Sequence, residues 1–231
     1  MSATRLAELA ANLQAVEKRL SVACEAAGRR RDELCLIAVT KTFPDADIAA
    51  LATLGVTDFG ENRDAEAAAK AAAFPDLRWH FVGRLQRNKC RSVATYADVV
   101  HSVDRVEVVA ALAAGARRAE REIAVLVQVS LDGDPGRGGA QPADVAAVAG
   151  ACASAAELRL TGVMAIAPLN SPVDEAFRRL AEIVATVRAT HPAARAVSAG
   201  MSGDLESAIR HGATHLRIGT ALLGHRTPPP G

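Results

Sequence analysis

Residues 34–42 read LCLIAVTKT, and the pattern that this stretch begins decides the fold. Six apolar residues (34–39), several of them branched, lie between charges. Such a short continuous run reads as a strand buried on both faces. Lys41 follows almost at once. The same order of events recurs down the chain. Strand-like runs lie near 56–59, 78–82, 98–102, 123–130, 158–164, 195–198 and 214–218. Helical stretches lie between them, near 45–54, 62–73, 86–94, 105–118, 142–153, 173–189 and 203–211. Two of these show plain helical spacing: Val145, Val148, Ala149 and Cys152, then Phe177, Leu180, Val184 and Val187. Counted from residue 34 there are eight strands, seven followed by a helix and the last by a short helical turn. Strict β/α alternation implies a parallel sheet, and eight such units close into a (β/α)8 TIM barrel. An open doubly wound sheet would gather its polar residues at one switch point. Here a polar cluster follows strand after strand, which favours the barrel.

Upstream, Leu6, Leu9, Leu13, Val16 and Leu20 mark one face of an extra N-terminal helix over residues 1–30, ending near Gly28. Arg29, Arg30 and Arg31 read as its solvated end. The 231 residues fit a single α/β domain, 1–231, with a loose tail over 226–231 that contains TPPPG. GDPGRGG (133–139) looks like a flexible loop between a strand and a helix. A net charge of +1 offers no field for a polyanion, so neither nucleic acid nor a membrane surface is expected as a partner. Cys24, Cys35, Cys90 and Cys152 form no CxxC pair, and the N-terminal segment lacks an apolar signal core. Reduced thiols in a cytoplasmic protein are expected. No apolar run reaches the roughly 18 residues of a transmembrane helix.

Five polar clusters sit at strand ends. Lys41 directly follows a wholly apolar strand; desolvation there lowers an amine's pKa, and the neutral amine attacks carbonyls. A lysine snorkelling from a loop is the blander alternative. FGEN (59–62) opens a helix, with Asn62 read first as its cap and Glu61 as a surface charge. WHFVGRLQRNK (79–89) offers Gln86, Asn88 and Lys89 to the mouth, while His80, between two aromatics, reads as a hydrogen-bonded core residue. SAGMSGD (198–204) places Ser198 and Ser202 around glycine before a helix, an anion cradle of free N–H groups. RIGTALLG (217–224) ends the last strand at Arg217 and begins a short turn at Gly219 and Thr220. Barrels often hold phosphate between the loops after strands 7 and 8. The last two clusters occupy those loops, which puts phosphate on one side of the mouth and a lysine on the other. GDPGRGG lacks the GxGxxG spacing, no P-loop or GxSxG elbow occurs, and His211 and His215 straddle a glycine and a strand start, so no zinc helix is expected.

AVTKT (38–42), FGEN (59–62), WHFVGRLQRNK (79–89), GVMAIAP (162–168), AGMSGD (199–204) and HLRIGTALLG (215–224) together resemble the YggS/PROSC family of pyridoxal 5′-phosphate (PLP) homeostasis proteins, in order and over nearly the whole chain. The resemblance implies an alanine racemase-like barrel of PLP fold type III. It implies a Schiff base on Lys41, phosphate held by Ser202, Gly219 and Thr220 with Ser198 and Met201 nearby, Arg217 facing the pyridine nitrogen, and Asn62 beside the cofactor. It also implies a non-catalytic protein that buffers PLP or delivers it to PLP-dependent apo-enzymes. Arg63, Asp64 and Ala65 depart from the family's Tyr-Val-Gln, although Glu66 keeps its place, and Arg137 stands where the family has lysine. Lys89 matches, and the sequence leaves it as either a surface lysine or a basic group at the mouth.

The alternative is a PLP-dependent amino-acid racemase. Alanine racemases carry a second, C-terminal β domain that supplies a tyrosine base. This chain is expected to lack one, since it ends eleven residues past Thr220, and its single tyrosine, Tyr96, is placed at a helix end away from the mouth. Racemisation by two bases needs an acid/base on each face of the substrate. Without an added domain or an obvious apolar edge, a monomer is expected.

Overall fold

The computed structural model describes residues 3–134, 136–168 and 172–224. The eight strands are β1 (Cys35–Val39), β2 (Asp58–Glu61), β3 (Arg78–Phe81), β4 (Val99–Val103), β5 (Ile123–Val129), β6 (Leu158–Ala165), β7 (Ala196–Ser198) and β8 (His215–Ile218). They pair in sequence order, all parallel, and β8 closes on β1, with Ile37 opposite Arg217. The closed sheet confirms the barrel expected from the alternation.

The helices are α1 (Ala3–Ala26), α2 (Asp45–Thr53), α3 (Asp64–Ala73), α4 (Cys90–Tyr96), α5 (Val106–Arg118), α6 (Val145–Ser154), α7 (Val173–Thr190), α8 (Leu205–Arg210) and the single turn α9 (Thr220–Leu223). The expected tail lies outside the described residues, as does Pro135 of the GDPGRGG loop. Among the described residues, no helix is long and apolar enough to cross a membrane.

Strand side chains alternate between two apolar layers. The outer layer lies between sheet and helices and includes Ala38, Phe59, Trp79, Val100, Val127 and Phe177. The barrel interior is smaller: Val99, Ala124, Leu126 and Met164 pack together with Ile166 and Ala196. By the same parity His80, His101, Ser198 and Arg217 also face inward, and all four are buried. The interior therefore holds buried polar side chains beside an apolar cluster.

α1 lies across α2, α8 and α9. Its buried residues Leu9, Val16 and Leu20 are those of the predicted face. Gly28, at φ +66°, takes the left-handed turn that ends the helix at little steric cost. The arginine run is not simply a solvated end. Arg29 donates to the carbonyls of Ile209 and Ala213, and Arg31 to Glu17 and the carbonyl of Leu34. Only Arg30 stays exposed, paired with Asp32. Carbonyls at the end of α8 and in the turn after it supplied acceptors that sequence order could not reveal.

Candidate functional site

A cavity of about 600 Å³ opens at the C-terminal ends of the strands. That size suits a cofactor-sized ligand. Lys41, Asn62, Met201, Ser202, Arg217, Gly219 and Thr220 line it, seven of the eight residues singled out from sequence. Val39, Phe43, Val82 and Ile166 give it apolar walls. Sequence reasoning missed those four because they look like ordinary strand ends; strand parity would have turned Val39 and Ile166 inward. Ser198 is the exception among the eight. It is fully buried and sits under the cavity, where its Oγ accepts a 2.6 Å hydrogen bond from Arg217. It does not line the cavity but supports the arginine that does.

The turn carrying Lys41 is clamped from α3. Lys70 is buried, and its Nζ donates to the carbonyl of Thr40 at 2.9 Å and to Glu61 and Glu66 at 2.7 Å each. Glu61 accepts from the Thr40 hydroxyl at 2.7 Å, and Glu66 accepts from the backbone N–H of Thr42 at 2.6 Å. Both neighbours of Lys41 are thus fixed. Thr42 needs this support, because its φ of +70° is costly for a β-branched residue. Glu61 is fully buried at the end of β2, not a surface charge as expected. Burial pushes its carboxyl above the usual range, against the hydrogen bonds from Lys70 and Thr40. Burial also opposes the charge on Glu66, but Lys70 and the Thr42 N–H outweigh it and its pKa falls.

Asn62 does not cap α3; the cap position is Arg63, without a side-chain cap. Asn62 instead turns into the cavity, between β2 and its neighbour β3. A Cβ on Gly83 would lie 2.1 Å from the Asn62 carbonyl oxygen, so only glycine allows this approach. The divergent residues are accounted for. Arg63 and Ala65 are exposed, and Asp64 accepts from Ser92 and Tyr96.

Arg217 forms part of the cavity floor. One amino group donates to Ser198 and the other to the carbonyl of Ala165 at 2.9 Å. Burial lowers its pKa to about 10, with Asp204 opposing the shift, so it stays cationic at neutral pH. Opposite Lys41, the loops after β7 and β8 are joined by a hydrogen bond from the Ala221 N–H to Ser202 Oγ. Gly219 lies close enough to Val39 that a Cβ there would sit 3.3 Å from a carbonyl oxygen. α1 straps both loops: Arg19 donates to the carbonyl of Ser202, Asn12 to that of Leu222 and Arg5 to that of Leu223.

Several candidates fall elsewhere. Gln86, Asn88 and Lys89 are exposed and do not line the cavity; Lys89 pairs with Asp64 at 3.6 Å. Lys89 is thereby a surface lysine. Arg137 does not line the cavity; it donates to the carbonyls of Ile166, a wall residue, and Ala167. Tyr96 ends α4, away from the cavity. His80 is the buried, hydrogen-bonded core residue expected. His211 pairs with exposed Asp174 rather than with His215. Among the described residues, Cys35, Asp58 and His80 do bring three potential metal ligands within 4.8 Å of one another. There the Asp58 oxygen is already spent on His80.

Residues 6–227 match the family described as alanine racemase, N-terminal domain. The chain is 46% identical to the pyridoxal phosphate homeostasis protein of Mycobacterium tuberculosis (strain ATCC 25618 / H37Rv), over 96% of this chain and 94% of that one. The structure of PipY from Synechococcus elongatus PCC7942 with PLP bound is similar at a TM-score of 0.83 and 32% identity, covering 94% of this chain and 100% of that one. Alanine racemase from Streptomyces coelicolor A3(2) shares the fold at a TM-score of 0.74 and 22% identity, covering 96% of this chain and 59% of that one.

Proposed function

This chain belongs to the alanine racemase N-terminal domain family, among the pyridoxal phosphate homeostasis proteins, and on that premise we propose that it holds PLP in the cavity at the barrel mouth, with the aldehyde attached to Lys41. The observation that carries the reading is that Lys41, the Arg217 guanidinium and the Ser202–Thr220 loops all border one cavity of about 600 Å³. An amine, a fixed cation and small-residue turns are the donor set that an aldehyde, an aromatic nitrogen and a phosphate ester require. Ser202, Gly219 and Thr220 would hold the phosphate, with Met201 at the rim, and Asn62 would lie beside the ring.

The protein is a carrier or buffer of PLP rather than an efficient catalyst. PLP, when bound, supplies an electron sink that is strongest with its ring nitrogen protonated. Arg217 only donates, so it leaves that nitrogen unprotonated. Lys41 and Arg217 are the titratable side chains among the described residues of the cavity lining, which offers no second base for the far face of a substrate. The sequence's single tyrosine is held at Asp64.

The test is borohydride reduction of the PLP-loaded protein followed by peptide mapping. The pyridoxyl group is expected on Lys41, and Lys41→Ala should abolish both the adduct and the near-visible absorbance. An adduct at another lysine overturns the site. Amino-acid racemisation near the enzyme median of ~10 s⁻¹ overturns the carrier reading.

A further inference from the structure

A single file of hydrogen bonds runs through the barrel interior from the cavity floor to the opposite end of the barrel. Arg217 donates to Ser198 Oγ at 2.6 Å. Ser198 Oγ lies 2.9 Å from His101 Nδ1, and His101 Nε2 lies 2.9 Å from His80 Nδ1. His80 Nε2 lies 2.8 Å from Asp58 Oδ1, and Thr57 donates to Asp58 Oδ2 at 2.8 Å. Arg217, Ser198, His101, His80 and Asp58 come from β8, β7, β4, β3 and β2, and the first four of these are buried. Asp58 itself borders a second cavity, of about 550 Å³, beside Cys35, Arg78 and His215.

The two ends of the file fix every proton in it. A guanidinium can only donate and a carboxylate can only accept. Asp58 therefore takes the Nε2–H of His80. A neutral His80 then presents a bare Nδ1, which must accept the Nε2–H of His101. The bare Nδ1 of His101 accepts the Ser198 hydroxyl proton, which leaves the Ser198 lone pairs for Arg217. One assignment satisfies all members, and every N–H and O–H points away from the cavity. Burial, which holds both imidazoles below their ordinary pKa, agrees with neutral rings.

We propose that Asp58 is a remote positioning residue for the cofactor: through His80, His101 and Ser198 it sets the hydrogen-bond polarity beneath Arg217 and so fixes the guanidinium at the floor of the cavity. The inference rests on reading that cavity as the PLP site. Without an acceptor at residue 58 the imidazoles can reverse. His101 would then donate to Ser198, whose own proton would lose its partner beside a cation.

The test uses two variants of the full chain. Asp58→Asn keeps a carbonyl acceptor, and Asp58→Leu has similar bulk and none. In the cofactor-free protein, imidazole ¹⁵N spectra should show the Nε2–H tautomer on His80 and His101 in wild type and Asp58→Asn, and its loss at His101 in Asp58→Leu. On titration with PLP, Asp58→Leu should weaken binding about fivefold, the worth of one ordinary hydrogen bond. Its near-visible absorbance maximum should also move, while Asp58→Asn stays close to wild type. Ser198→Ala cuts the file next to Arg217; it should reproduce the PLP effects and leave the His80 tautomer unchanged, and it serves if Asp58→Leu fails to fold. An Nδ1–H tautomer in wild type, or unchanged PLP binding and absorbance in the cut variants, overturns the proposal. A wild-type protein that binds no PLP refutes the reading of the cavity instead, and the cofactor-free spectra still judge the file.

Discussion

Lys70 spends all three of its ammonium protons on Thr40, Glu61 and Glu66. Removing one partner of a buried pair leaves the others as uncompensated charge, which costs more than the pair contributes. Lys70→Met strands Glu61, whose second carboxylate oxygen already has no hydrogen-bond partner. It should destabilise the protein by about 3 kcal/mol in urea unfolding. It should also weaken PLP binding, because the Lys41 turn loses its brace. A loss under 1 kcal/mol would mean that the cluster is hydrated and does not hold the turn. None of this was legible from sequence. Glu61 reads as a surface charge, and nothing in the sequence singles out Lys70 within its alanine-rich helix. Their meeting depends on where α3 docks on β2 and β3.

At the scale of elements, α9 is too short to persist by itself, since one turn of helix does not repay its own nucleation. Its last carbonyls are held by α1, through Asn12 on Leu222 and Arg5 on Leu223. Asn12→Ala removes one of these anchors and should cost about 1 kcal/mol. The loss should be local. Hydrogen exchange at the amides of Leu222 and Leu223, which bond to the carbonyl of Gly219, should speed up about fivefold, while amides of β5 stay unchanged. Uniform acceleration throughout the barrel would instead make α1 a global support. Sequence periodicity found α1 and its buried face, and motif position found the turn at Gly219. That the first helix holds the last was not readable, because the contact joins opposite ends of the chain.

At the scale of the molecule, buried titratable groups set the pH range of stability. His80, His101 and His215 are held below the ordinary 6.5 by burial, His215 at about 4. The unfolded chain binds protons that the fold refuses, so stability falls as pH drops below about 6.5. Asp58 has the same sign. Burial would raise its pKa, but hydrogen bonds from His80 and Thr57 hold it at about 2 against 3.8, and its contribution is lost as pH falls through that window. On the alkaline side, burial pushes the Cys35 and Cys152 thiols to about 12 from 9.0, so unfolding releases protons and stability falls above 9.0. Urea unfolding from pH 4 to 10 should therefore trace a plateau between about 6.5 and 9, and Cys152→Ala should flatten part of its alkaline arm. A flat profile down to pH 4 would mean that the imidazoles charge freely in the folded state. The sequence by itself determined the eight-fold alternation, the barrel and the two sides of the mouth, because hydrophobic period and strand-end position are local properties. Only the tertiary structure decided that Ser198 lies beneath the site, that Glu61 and Lys70 brace it and that Asp58 reaches it. Those contacts join residues that come together only when the sheet closes and parity turns their side chains into a shared interior.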